Sequence, residues 1–206
     1  MNICETGRSM IEMLGVLAIV GVLSVGGMAG YSKMMSQYRI NASLEQVGVI
    51  ASKVSAYGAA ADSYEGLSNV TAKKLGAQIA DTNPYDGGIT VKPSFIDKSN
   101  NGNNADTQAY VIIFSGLTEE ACVALGSSAW SNVRNSSFIG LGAGADSKTD
   151  TIEKGLYIGC PGVLSEGNYA TACSGGSAVD LPMDPGTASL ACNCSNSNCV
   201  FMMKFF

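Results

Sequence analysis

The chain has 206 residues, with 12 Lys+Arg against 17 Asp+Glu (formal net charge −5) and no histidine. Its length allows one domain plus an appendage. The acidic balance argues against nucleic acid as a partner, and the missing imidazoles remove the usual general base and the commonest metal ligand. Hydrophobic residues reach 46% while aromatics are only 7% and charged residues 14%, against roughly 25% charged in ordinary domains, a composition that speaks against a soluble metabolic enzyme.

Residues 13–32 form a run of 20 without a charge. At ~1.5 Å rise per residue a helix of that length spans a ~30 Å hydrocarbon core. A cleaved signal peptide is the simplest alternative. Glu12 at the mouth of the run opposes it, because a carboxylate at membrane depth costs roughly 3 kcal/mol and calls for a positive partner. Arg8, at i−4, is the one candidate in the chain. Cleavage between Gly7 and Arg8 would create another, a free α-amino group. In an array of staggered identical helices, Glu12 of one copy can then neutralise the N-terminus of the next and fix the axial step between them.

Beyond this run, Ile40, Leu44, Val47, Ile50, Val54 and Tyr57 recur at spacings of four and three, interleaved with Arg39, Glu45, Gln46 and Lys53. That is an amphipathic helix. With no proline before Pro84, a single helix is predicted over about 9–61. A short helix follows over 71–80. Asn83-Pro84-Tyr85-Asp86-Gly87-Gly88 is a dense turn signal, leading into the strand Ile89-Thr90-Val91. Residues 97–106 read as a polar loop and 110–114 as the clearest strand. A helix is predicted over 117–129, with Thr118 as N-cap and Glu119 and Glu120 in its first turn.

The region 135–186 reads as loop-rich, with a strand at 155–158. Residues 138–145 contain a G-x-G-x-x-A match, but a polar, turn-like DSKTD follows where a dinucleotide site needs a helix. This stretch is therefore read as a flexible loop. Trp130, with Phe138 nearby, belongs to a core or a subunit interface. A hydrophobic strand over 199–206 closes the sequence.

Cys122, Cys160, Cys173, Cys192, Cys194 and Cys199 all lie in the second half, and Cys4 stands apart. An even number in a Gly/Ser/Asn-rich setting reads as disulfides in an exported domain. Zinc is the rival reading for the close trio Cys192, Cys194 and Cys199; without histidine or paired C-x-x-C knuckles, disulfides are preferred. No nucleophile–base pair is visible, and the adjacent Glu119 and Glu120 point to different sides of their helix. No enzyme activity, cofactor or metal is expected.

The stretch Gly7-Arg8-Ser9-Met10-Ile11-Glu12-Met13-Leu14, followed by the apolar run, resembles the prepilin signature of type IV pilins and type II secretion pseudopilins. The resemblance implies an α+β fold, a long N-terminal helix packed on an antiparallel sheet with a disulfide-stapled C-terminal region. It implies a leader over 1–7, a transmembrane and assembly helix over 8–34, its amphipathic continuation over 35–62 and a globular head over 63–206. Gly7 would be read by a prepilin peptidase, Arg8 would become the methylated first residue, and Cys4 would leave with the leader. Glu12 would carry the inter-subunit charge pair.

The order of helix, turn, strand, helix and Cys-bounded strand resembles the type IVb subclass. There a helix cysteine is bonded to one near the C-terminus, which implies Cys122 joined to Cys192, Cys194 or Cys199. Cys192 is favoured, leaving Cys160–Cys173 and Cys194–Cys199. The implied function is a pilus subunit in adhesion, aggregation or DNA- and secretion-related roles. Its partners would be copies of itself in a helical filament, the peptidase and the inner-membrane assembly machinery. It would sit in the inner membrane before assembly and at the cell surface afterwards. A pseudopilin of a type II secretion system is the alternative; those are usually poor in cysteine.

Overall fold

The computed structural model describes residues 8–95, 107–130, 138–149, 153, 182–194 and 198–206. Helix α1 (Arg8–Ala61) runs unbroken, as the absence of proline predicts. The chain divides into two compact units, Met1–Arg39 and Ile40–Phe206. In the first, apolar side chains face every direction around the helix axis. Met10, Leu14, Leu17, Val22, Leu23, Val25 and Met28 are all more than half exposed.

In the second unit α1 is two-faced. Val47, Ile50, Ala51 and Val54 are buried, while Glu45, Ser52 and Lys53 face water, the three–four spacing of an amphipathic helix. Helix α2 (Asn69–Lys74) starts at Ser68, whose Oγ accepts the Thr71 N–H. It is shorter than the 71–80 expectation, because Leu75 caps it and Gly76 follows at φ +84, a left-handed stop that glycine takes without strain.

Among the described residues the further strands and α-helices are β1 (Ile89–Ser94), β2 (Ala109–Leu117), α3 (Glu119–Gly126), β3 (Phe138–Ala145), α4 (Pro185–Ala191) and β4 (Cys199–Phe205). The strands form one sheet of order β1-β2-β4-β3, antiparallel throughout. The last strand in sequence therefore occupies the middle. Tyr110, Ile112 and Phe114 of β2 and Phe201, Met203 and Phe205 of β4 share one core with the buried face of α1. Val111, Ile113, Val200 and Met202, on the opposite sheet face, are buried too. Strands buried on both faces lose the apolar–polar alternation, which is why β2 and β4 read as continuous apolar runs.

Tyr110 fastens helix to sheet. Its hydroxyl donates to the Ala51 carbonyl at 3.1 Å and shares a hydrogen bond with Ser55 Oγ at 2.8 Å. The ring stacks on Phe205 at 5.2 Å and meets Tyr64 at 4.8 Å.

Two expectations are corrected here. Residues 138–145 are strand β3 and not a flexible loop: they pair with β4 from Phe138↔Phe205 to Ala145↔Cys199, with a register shift after Phe138. Leu141 and Ala143 enter the core while Gly140, Gly142 and Gly144 alternate with them. Glycine weakens intrinsic strand propensity, but a ladder to a well-ordered central neighbour overrides it. Helix α3 is shorter than 117–129, since Leu117 belongs to β2; Thr118 is its N-cap, as expected. Helix α4 was not foreseen. It opens on Pro185, with Asp184 accepting the Gly186 and Thr187 N–H groups, a standard start signal. The 97–106 loop and the 155–158 strand lie outside the described residues.

The turn into β1 is organised by the buried Asn83. Its amide donates to the Gly88 and Ser115 carbonyls at 3.1 and 3.0 Å. Its carbonyl oxygen accepts the Tyr85 and Gly87 N–H groups at 2.9 and 3.0 Å. A Cβ on Gly87 would overlap the Ser115 carbonyl. Asn83→Ala and Gly87→Ala are each expected to cost about 2 kcal/mol, the first by stranding buried polar groups and the second by overpacking. Denaturant unfolding of the two variants checks this, and Gly88→Ala, which meets only the Ser115 hydroxyl, is the milder control.

Candidate functional site

The predicted site residues fall in two places. At the start of α1, Gly7 lies outside the described residues, and Arg8 is the first helical residue. Glu12 follows one turn later, exposed, with an interaction partner within the chain. The helix from Met10 onward is long and apolar enough to cross a membrane, with a mean hydropathy of 2.1 in its most apolar window and none of that window buried. A core helix of a soluble protein would be mostly covered.

The second place is the disulfide region. Cys122 on α3 is bonded to Cys192 at the C-cap of α4, with Cα atoms 5.8 Å apart, and Cys194 is bonded to Cys199 at the start of β4, at 5.4 Å. These are the two favoured pairings within the described residues; Cys4, Cys160 and Cys173 lie outside them. Disulfide sulfurs have no lone thiolate to offer, so the zinc reading of Cys192, Cys194 and Cys199 falls. Among the described residues no other group of acids and cysteines converges on a metal position. The first bond spans 70 residues and the second 5. In the chain-entropy model these closures are worth about 4 and about 2 kcal/mol. Trp130 belongs to the core beside them: its indole N–H donates to the Leu125 carbonyl at 2.8 Å and its ring stacks on Phe201 at 5.5 Å.

Sequence reasoning passed over a buried ionic cluster on the far face of the sheet. The Glu153 carboxylate lies 2.5 Å from Lys92 Nζ and accepts the Ser94 hydroxyl at 2.8 Å, both on β1. Its backbone carbonyl accepts from Lys204 Nζ of β4 at 3.2 Å, and that ammonium stands 4.0 Å above the Phe95 ring. Lys204 is fully buried. Desolvation brings its pKa down to about 8, against the pull of Glu153 and with a further push from Lys92. The signal was present in the sequence: one lysine interrupts the apolar run 199–206, and a cation in a buried strand requires partners.

No family model and no curated protein matches this chain. Among solved structures, the crystal structure of TcpA, a type IV pilin from Vibrio cholerae El Tor biotype, is similar to it. The match has 15% sequence identity and a TM-score of 0.49, covering 81% of this chain and 98% of that one. A likeness at that identity and score does not assign a function.

Removing Cys122 and Cys192 together is expected to lower stability by about 4 kcal/mol, roughly twice the loss on removing Cys194 and Cys199; equilibrium unfolding of the two double variants measures both. A pH dependence follows from Lys204. Its pKa is about 8 when folded against an ordinary 10.5, so between those values the unfolded chain binds the extra proton and stability rises with pH. Burial raises the Tyr110 pKa, which erodes stability once unfolded tyrosine ionises near ~10. The stability difference between wild type and Lys204→Met isolates the lysine: relative to the variant, wild type should gain steadily from pH 8 to 10.

Proposed function

We propose that this chain is a structural subunit of the type IV pilin class. In this reading a prepilin peptidase cuts between Gly7 and Arg8, and the 8–34 part of α1 holds the subunit in the inner membrane. The same helix then polymerises it into an extracellular filament. The observation that carries the proposal is the first part of α1, charge-free over 13–32, apolar on every side and exposed, with Glu12 one turn from the new N-terminus.

Such a helix has two environments that satisfy it. In lipid its backbone is hydrogen-bonded internally and its side chains match the solvent. In a filament the same surface packs against the helices of neighbouring copies, where the glycines at 15, 21, 26, 27 and 30 leave open space for close approach. Passage between the two environments exchanges one apolar surrounding for another. Glu12 supplies what apolar packing lacks, a register: its carboxylate meets the freed amine of Arg8 on the adjacent copy. The two disulfides support the same reading, because bonds of this kind persist outside the cytosol.

N-terminal mass analysis of the mature protein tests the processing step, with Arg8 carrying one added methyl group as the expected first residue; retention of Met1 would overturn it. Glu12→Ala is expected to leave the chain in the membrane and to lower filament yield by at least about tenfold, scored by shearing and electron microscopy. Undiminished filaments would exclude the charge pair. Short periplasmic assemblies that support protein secretion would instead identify a pseudopilin.

A further inference from the structure

The two disulfides differ in their access to solvent. Cys122, Cys192 and Cys199 have no exposed surface, whereas Cys194 keeps 6%. Cys194 also lines an open groove of about 900 Å³ between α3 and α4, walled by Val123, Ser127, Pro185 and Ser189, with Glu119 and Glu120 at its rim. Both carboxylates are exposed, so the groove carries negative potential around Cys194, the one cysteine of the two disulfides that lines it. The Cys122–Cys192 bond closes a loop more than ten times longer, which makes it the costlier of the two to lose.

We propose that Cys194–Cys199 is an exchangeable disulfide, entered by thiols through the α3–α4 groove at the Cys194 sulfur, while Cys122–Cys192 is the permanent staple. In the first step a thiolate attacks Cys194 Sγ. A mixed disulfide forms on Cys194, the Cys194–Cys199 bond breaks, and Cys199 leaves as a thiolate that takes a proton from water. A second thiolate then attacks the reductant's own sulfur in that mixed disulfide. Cys194 is freed, and the two reductant molecules depart as their oxidised dimer. The rate follows access and thiolate fraction. At this site it also follows charge: Glu119 and Glu120 repel an anionic thiol and attract a cationic one. The partner chemistry is thus a neutral or cationic thiol, or a dithiol protein presenting a basic face.

The test uses the full chain in detergent micelles at low ionic strength. It is treated in parallel with cysteamine, whose amine is cationic, and with mercaptoethanesulfonate, which is anionic. Free thiols are trapped by alkylation over time and located by mass spectrometry, with peptides bearing Cys160 and Cys173 read separately. Cys194 and Cys199 should label together and before Cys122 and Cys192. Per thiolate, cysteamine should act about fivefold faster or more, a ratio that shrinks when salt is raised. Glu119→Gln with Glu120→Gln should abolish the ratio without slowing the uncharged thiol mercaptoethanol. Opening of Cys122–Cys192 first, or of both bonds together, would overturn the proposal. A rate in the native protein indifferent to reductant charge would equally defeat it, since opening would then proceed by unfolding and not through the groove.

Discussion

Apolar surface that one chain cannot cover governs this protein. Twelve large hydrophobic side chains between Met10 and Met28 are each at least half exposed. At roughly 2 kcal/mol for burying each one, they represent on the order of 20 kcal/mol, more than the net stability of a typical domain. Water is not a tenable environment for that segment. Lipid and the helices of identical copies both would be, and under the proposed function a helix satisfied equally by both could move from the first to the second. Glu12 is the exception within this surface, and under the proposed function it would turn a non-directional attraction into a defined step.

Past residue 40 the same helix meets the opposite situation. One face is buried and the other is wet, and the buried face is matched by a sheet whose central strand comes last in sequence. Placing β4 between β2 and β3 makes the fold non-local: the core cannot close until residues 199–205 reach partners 54 to 95 positions earlier. The Cys122–Cys192 bond shortens that search, since it ties α3, which follows β2, to α4, which precedes β4. The Tyr110 hydroxyl, held by Ala51 and Ser55, then sets where the helix lies on the sheet.

The far face of the sheet is arranged differently. Val111, Ile113, Val200 and Met202 are buried there, and a lysine shares that burial with them. Lys204 is retained in the core through a carbonyl, an aromatic ring and the field of Glu153, which itself grips β1. Buried pairs of this type add little net stability, but losing one partner strands the other. The cluster therefore fixes which elements meet on that face more than it raises the stability of the fold.

Much of the architecture was legible in the sequence because it rests on local rules. The unbroken α1 follows from apolar periodicity and missing proline, the cap at Thr118 from a side-chain oxygen placed before a helical run, and the β1 turn from Asn83 to Gly88. Glu12 stood out because an acid beside a charge-free run is costly wherever the chain folds. What the sequence left open depends on partners distant along it. FIGLGAGA, with three glycines in eight residues, has weak strand propensity of its own and becomes β3 because β4 offers a ladder. Lys204 could not be assigned to a buried cluster until β1, β4 and residue 153 were brought together. Two disulfide pairings, left open among fifteen arrangements on composition alone, were decided by tertiary placement: Cys122 on α3 meets Cys192 at the end of α4, and Cys194 meets Cys199 at the start of β4. Local periodicity, capping and charge cost are written in neighbouring residues; register, burial on a second face and sulfur proximity exist only once the chain has closed on itself.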